Sequence, residues 1–356
     1  LSYFGLVPAA LLGIDIKTLL ERAQAMMRAC GSEGPTDPNP GLELGAALGV
    51  LARQGRDKLT LVVPDTLSDF GLWLEQLVAE STGKQGTGIL PLAGDPLSDP
   101  ASYGPDRVFV YVGYEDQPDE ENRQKVAALQ AAGHPLITIL LRDALDLGAE
   151  FFRWEVATAV ASAVLGINPF DQLNVQAAKT ATNRLMEVVE QQGQLPQTSA
   201  PTVSENGLDY YTSTGGNSAS GVLESLFGQA RPGDYLCVQA YLMETPALNA
   251  ALDELRLLAQ QRLHVATAAG YGPRFLHSTG QYHKGGPDTG LFLQLTTDHA
   301  PHDLPLPGRP YTFGTFQNAQ AAGDLQALQD YGRRTLRVHL GAGGAQAGLH
   351  ELLHQL

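Results

Sequence analysis

Three stretches of this chain carry residues whose types and spacing suit chemistry. The first runs Gly166-Ile167-Asn168-Pro169-Phe170-Asp171-Gln172-Leu173-Asn174-Val175-Gln176-Ala177-Ala178-Lys179. An apolar helix leads into it from Phe151, Asn168-Pro169 reads as a turn, and a second helix is expected from near Asp171, whose carboxylate would be its N-cap. Helical spacing then sets Gln172 and Lys179 about two turns apart on one face, a geometry that holds a polar substrate. Taken alone, Lys179 also reads as an ordinary solvated lysine.

The second stretch is Glu80-Ser81-Thr82-Gly83-Lys84-Gln85-Gly86-Thr87-Gly88-Ile89-Leu90-Pro91. A helix ends at an acid, and the glycines beyond it suit a backbone that a ligand approaches closely, or a plain glycine-rich connection. A nucleotide-phosphate loop is excluded, because no glycine stands at the required earlier position and Gln85, not a hydroxyl residue, follows Lys84. The third stretch, Tyr271 to Pro287, gathers Arg274, His277, His283, Lys284, hydroxyls and four glycines. In an acidic protein such a cationic loop suits anion recognition, although a surface turn with incidental histidines has the same composition.

At 356 residues with 43% apolar types, the chain is long enough for two α/β domains with separate cores. Its 23 basic and 38 acidic side chains leave a net charge of −15, which argues against nucleic acid or an anionic membrane as partner. An anionic substrate must therefore be held by local groups. Cys30 and Cys237 lack the spacing of a disulfide framework or a zinc site and fit a reducing cytoplasm. The opening Leu1 to Gly13 has no basic n-region or cleavage site, and no run is long and apolar enough for a membrane helix. Because Leu1 to Ala10 reads as the middle of an element and no methionine begins it, a piece of a longer polypeptide is expected.

The elements that must position these stretches alternate. Two helices broken near Gly13 come first, then a helix over 42–54, a strand over 59–63, a helix over 69–79, a strand over 108–112, a helix over 119–132, a strand over 136–140 and the Phe151 helix. Residues 192–205 turn to Gln, Pro, Ser and Thr and read as a linker. Beyond it, helices over 219–227, 245–261 and 319–331 alternate with strands over 235–242, near 265, and over 291–295 and 335–339. Such alternation predicts parallel sheets wound by crossovers.

The 166–179 stretch resembles the second signature of the glucose-6-phosphate isomerase family, in which Phe-Asp-Gln is followed seven residues after the glutamine by a lysine, as in Phe170-Asp171-Gln172 and Lys179. The Glu80 loop is similar to the family's catalytic-base loop. Leu276-His277-Ser278-Thr279-Gly280-Gln281 matches the Leu-His-Ser-x-Gly-Gln of its ring-opening histidine, but stands a domain later than is usual. That displacement, with Tyr311-Thr312-Phe313-Gly314-Thr315, resembles the isomerase half of bifunctional transaldolase/glucose-6-phosphate isomerases.

The resemblance implies a sugar-isomerase (SIS-like) doubly wound parallel-sheet domain over 41–191, after a helical lead-in over 1–40 continuing from an upstream domain. A second α/β domain over 206–345 would carry the histidine loop, and 346–356 would be a C-terminal tail. It implies that Glu80 shuttles a proton between C1 and C2 of glucose and fructose 6-phosphate through an enediol, and that His277 and Lys179 open the ring. Gln172, Ser81, Gly83, Lys84, Ser278 and Gln281 would contact substrate. It further implies no cofactor and no metal, a homodimer, and upstream isomerase and transaldolase domains, the former holding the substrate phosphate and supplying an arginine. A fold-keeping sugar-phosphate sensor without catalysis, or a purely structural module, is the alternative expectation.

Overall fold

The computed structural model describes residues 1–356 apart from 32–37, 118, 172–173, 194, 197–199, 214, 299–302 and 342. The chain divides into two compact units, one of Leu1–Gly94 with Pro105–Asp171 and the other of Asp95–Gly104 with Gln172–Leu356.

The first unit begins with α1 (Tyr3–Leu11), whose Tyr3, Phe4 and Leu11 are exposed, and α2 (Ile16–Ala29), capped by Asp15 Oδ1 accepting from Thr18 N. Asn39 caps α3 (Pro40–Arg53), with Pro40 in the first turn where a missing N–H costs nothing. There follow β1 (Lys58–Val62), α4 (Ser68–Thr82), β2 (Leu90–Ala93), β3 (Arg107–Tyr114), α5 (Glu120–Ala131), β4 (Leu136–Leu141) and α6 (Leu147–Leu165). The four strands are parallel in the order β2-β1-β3-β4.

Alternation along the strands turns Leu59, Leu61, Val108, Val110, Val112 and Ile139 to one face. There they meet Leu44 and Leu48 of α3, Phe70, Leu74 and Val78 of α4, and Trp154 and Ala157 of α6. Gly41, Gly45 and Gly49, spaced by one helical turn, let α3 lie directly on α6; a Cβ on Gly45 would sit 2.3 Å from Ala157 O. Buried Val126 and Leu129 of α5 belong to no part of that cluster and cover the opposite face.

The second unit holds α7 (Val175–Gln192), β5 (Val203–Glu205), β6 (Leu208–Tyr211), α8 (Ala219–Phe227), β7 (Tyr235–Tyr241), α9 (Pro246–Leu263), β8 (Ala266–Tyr271), α10 (Thr279–Gly285), β9 (Gly290–Thr296), α11 (Phe313–Asp330), β10 (Arg334–His339) and α12 (Ala345–Gln355). Its sheet runs β5-β6-β10-β9-β7-β8. The four parallel strands repeat the first unit's order, with β7, β8, β9 and β10 in the places of β1, β2, β3 and β4. An antiparallel hairpin, β5–β6, is added along β10. The apolar face, built from Leu236, Val238, Leu291, Leu293, Leu336 and Val338, is covered by α8, α9 and α12. The segment Asp95–Gly104 joins this unit, where the Asp95 carboxylate pairs with Arg256 at 3.0 Å.

Both sheets fit the predicted doubly wound α/β class. Several boundaries differ from expectation. The first unit ends at Asp171, not near 191, because α7 packs on α11 through Met186, Val189 and Ala319. The expected linker 192–205 contains β5. The expected tail 346–356 is nearly all α12, whose Leu349 and Leu352 are buried in the core.

Candidate functional site

In the first unit, α4 returns antiparallel to the strands and delivers Glu80 to the amino-terminal edge of the sheet. There Leu90, at the start of β2, pairs with Lys58 at the start of β1. The loop's shape follows from its sequence. Buried Thr82 Oγ1 donates to Val78 O at 2.7 Å and accepts from Ile89 N at 3.0 Å, so the loop closes on the helix that precedes it. Between these anchors Lys84 and Thr87 exchange backbone hydrogen bonds of 3.0 Å around Gln85 (φ 54°) and Gly86 (φ 77°), a type I′ turn. Gly88, at φ 147°, leaves room where a Cβ would stand 2.8 Å from Thr82 O. The glycines of this loop thus have conformational reasons of their own.

Glu80 and Ser81 are half-buried, and Gln76 Nε2 donates to Glu80 Oε2 at 3.5 Å. Lys84 is only 3% exposed and reaches away from the loop: its Nζ donates to Asn168 O at 3.2 Å and Pro169 O at 2.8 Å. Burial pulls its ammonium below the ordinary lysine value, while Asp171 and Glu80 act in the opposite direction. The 166–171 turn it grips is preformed. Gly166, at φ 78°, ends α6 in the left-handed conformation, and Asn168 Oδ1 accepts from Phe170 N at 3.1 Å. Asp171 is exposed and does not cap a helix; α7 begins at Val175 with Asn174 at its N-cap position. Gln172 lies outside the described residues.

Lys179, expected in the same domain as Glu80, belongs to the second unit and is half-buried on α7. Its neighbour Ala178 packs with Leu276, the neighbour of His277, and with Ala327. Asn174 at the head of α7 and Gln281 of α10 are joined twice, Asn174 N donating to Gln281 Oε1 at 3.2 Å and Gln281 Nε2 to Asn174 Oδ1 at 2.9 Å. The two expected ring-opening residues therefore lie on adjoining segments.

Within the histidine loop, His277 is exposed and its neighbours are not. Ser278 is fully buried and takes φ 50°, rare for a residue with a Cβ, as the chain turns sharply into α10. Gly280 allows the turn, since a Cβ there would meet Phe275 O at 1.7 Å. His283 is a core residue: Nδ1 lies 2.8 Å from Tyr235 Oη and Nε2 3.4 Å from Cys237 Sγ, and burial holds the imidazole well below its ordinary pKa. Lys284 pairs with Asp324 at 2.6 Å with both side chains fully buried, and Asp324 Oδ2 also accepts from Gln239 Nε2. The cationic loop expected from composition is thus an internal network with one outward imidazole. Asp324, the counter-ion sequence reasoning missed, carries no local signal, since it stands forty residues from its partner.

No protein-family model matches the chain. The chain is 33% identical over 221 residues to a glucose-6-phosphate isomerase of Rubrobacter xylanophilus, covering 51% of this chain and 50% of that protein. It is 27% identical over 216 residues to one of Enterococcus faecalis, covering 50% and 48%. It is also 27% identical over 216 residues to one of Methanocaldococcus jannaschii, covering 51% and 54%. The chain spans about half the length of the curated relatives it matches. Among solved structures it is similar to the C-terminal domain of glucosamine-fructose-6-phosphate aminotransferase from Francisella tularensis, with TM-score 0.28, 9% identity and coverage of 96% of this chain and 92% of that one. A protein from Thermus thermophilus described as hypothetical gives TM-score 0.31 and 14% identity, covering 98% and 88%. At such scores neither fold nor activity transfers.

Proposed function

We propose that the chain is the isomerase part of an enzyme interconverting glucose 6-phosphate and fructose 6-phosphate, with Glu80 as the base that moves a proton between C1 and C2. The observation that carries this reading is the joining, within the first unit, of the Glu80 loop to the 166–171 turn that opens the other signature-like stretch. Lys84 of the Glu80 loop holds the carbonyls of Asn168 and Pro169. The similarity to proteins named glucose-6-phosphate isomerase supports it. A single carboxylate suffices, because the proton taken from one carbon of the open-chain sugar is returned to the other through an enediol, with no net change of atoms or electrons. Proton transfer of this kind needs no cofactor.

His277 and Lys179 are the proposed ring-opening pair, moving the proton between the ring oxygen and the anomeric hydroxyl. The exposed His277 imidazole is open to a sugar approaching from solvent. Gln172, Ser81 and Gly83 are proposed substrate contacts. Lys84, Ser278 and Gln281 enter the reading as positioning residues, since each is buried. The late position of the histidine loop supports the finer reading that this is the isomerase half of a cytoplasmic bifunctional transaldolase/isomerase, acting as a homodimer. In the complete polypeptide, Glu80→Gln is expected to lower turnover of fructose 6-phosphate by ~10²-fold or more with little change in KM. A loss under about threefold would overturn the role given to Glu80.

A further inference from the structure

The two faces of the second unit's sheet differ in kind. One is aliphatic, whereas on the other the strand register aligns Gln239, Gln294 and Arg337, and two residues on Tyr241, Thr296 and His339. Arg337 stands out in this row. Arg333 and Arg334, just before it, pair with Asp288 and Asp234 at 3.0 and 2.6 Å. The Arg337 guanidinium instead lies over the Tyr211 ring, 5.2 Å from its centroid, and Nε donates to Thr296 Oγ1 at 3.3 Å. Among the described residues it makes no ion pair, and its Nη groups donate to nothing. Burial accordingly pulls it below the ordinary guanidinium value.

A half-buried cation without a counter-ion costs stability, and a planar fork with its two outer nitrogens unused is shaped for an oxyanion. Arg337 and Tyr211 line two cavities at once. One, of about 640 Å³, opens between the β5–β6 hairpin and the carboxyl end of β10; the other, of about 1200 Å³, lies between α7 and α11. In the smaller cavity the carboxylates are already engaged. Asp298 pairs with His339 at 3.2 Å, Asp209 accepts from Ser204 Oγ at 2.6 Å, and Glu205 accepts from Ala219 N at 2.8 Å. The larger is lined by Gln176, Thr180, Asn318 and Gln329 beside apolar Leu185 and Leu325, with Arg184 as a second cation and with Asp330, whose Oδ1 accepts from Gln326 Nε2 at 2.8 Å. Amides and hydroxyls around an arginine fork match a compact anion attached to a polyhydroxylated body.

We propose that Arg337 anchors a binding site for a phosphorylated polyol, the phosphate taking the guanidinium Nη groups and the hydroxyls meeting the side chains between α7 and α11. This site rests on neither Glu80 nor isomerase activity. The test is calorimetric titration of the full chain with glucitol 6-phosphate, inorganic phosphate and glucitol. Glucitol 6-phosphate should bind best, phosphate more weakly, and glucitol not measurably. Arg337→Gln should weaken glucitol 6-phosphate binding about 10- to 100-fold, as loss of charge-assisted hydrogen bonds does, and Arg337→Lys should fall between. Arg184→Gln should weaken it several-fold and serves as the second reading if Arg337→Gln fails to fold. Glu80→Gln should leave this binding unchanged even if it abolishes isomerisation. Undiminished binding in Arg337→Gln, or in Arg337→Lys and Arg184→Gln together, would overturn the proposal, as would silence of wild type toward both phosphorylated probes.

Discussion

The two units share a parallel strand order and a helix layout, yet they treat the polar residues of their signature stretches in opposite ways. In the first, Glu80 and Ser81 stay half-buried at the amino edge of the sheet, and one buried lysine stitches two backbone turns together. In the second, Ser278, Gln281, His283 and Lys284 go wholly inside, and His277 alone of that run faces out. A run of polar residues that matches a signature therefore mixes two jobs, shaping the turn and presenting a reactive group. Burial and partners separate them.

The sharpest way to break this contrast is through the buried pairs. Asp324→Asn leaves Lys284 charged and enclosed without its carboxylate, so the second unit should lose about 3–5 kcal/mol, whereas Lys284→Met with Asp324→Leu should recover much of it. Urea unfolding checks both, and a loss below about 1 kcal/mol would mean that the pair is solvated. The first unit's counterpart is Glu150, 2% exposed and 3.0 Å from Arg153, whose side chain keeps 24% exposure. Burial raises its carboxyl from 4.5 to about 7. Between those values the folded state binds the proton and the unfolded chain has released it. Stability should therefore fall as pH rises through that window, by roughly 3 kcal/mol, and level off above it. Glu150→Gln should flatten the dependence; an unchanged slope would assign it to other groups.

Lys84→Met should cost about 1–3 kcal/mol, since two carbonyls lose a charged donor, and should speed amide exchange around Phe170. Unaltered exchange there would show that the 166–171 turn stands without the lysine. The smallest effect is expected at the type I′ turn, where Gln85→Asn should raise stability by roughly 0.5 kcal/mol because Asn-Gly tolerates positive φ at both positions. A decrease on thermal unfolding would contradict the assigned turn.

Most helices and long strands are legible in hydrophobic periodicity, because each buries one face against a sheet. β2 is not: it has four residues, includes Pro91 and lies on the sheet edge, where a missing N–H is tolerated. The β5–β6 hairpin is hidden in a polar stretch, although Asn206-Gly207, at φ 53° and 78°, is the turn pair such hairpins prefer. α10 looks like a loop because its glycines and cations mimic one; its burial depends on Asp324, Tyr235 and Cys237, which arrive from distant segments. Arg337 has no motif around it, though the alternation Arg337-Val338-His339 in a strand already sets both polar side chains on one face. Glu80 is legible from its loop; that Lys84 serves backbone carbonyls is not, because nothing local distinguishes a buried lysine from a solvated one.

Proton–deuteron exchange reads out whether Glu80 carries a proton between adjacent carbons of a sugar phosphate. Fructose 6-phosphate would be incubated in deuterium oxide with the complete polypeptide, and deuterium at C1 followed by NMR alongside formation of glucose 6-phosphate. Wild type should exchange, Glu80→Gln should lose exchange and turnover together by ~10²-fold or more, and His277→Ala should keep exchange on a substrate analogue that cannot cyclise. Exchange in Glu80→Gln at near the wild-type rate would contradict the claim and move the base elsewhere.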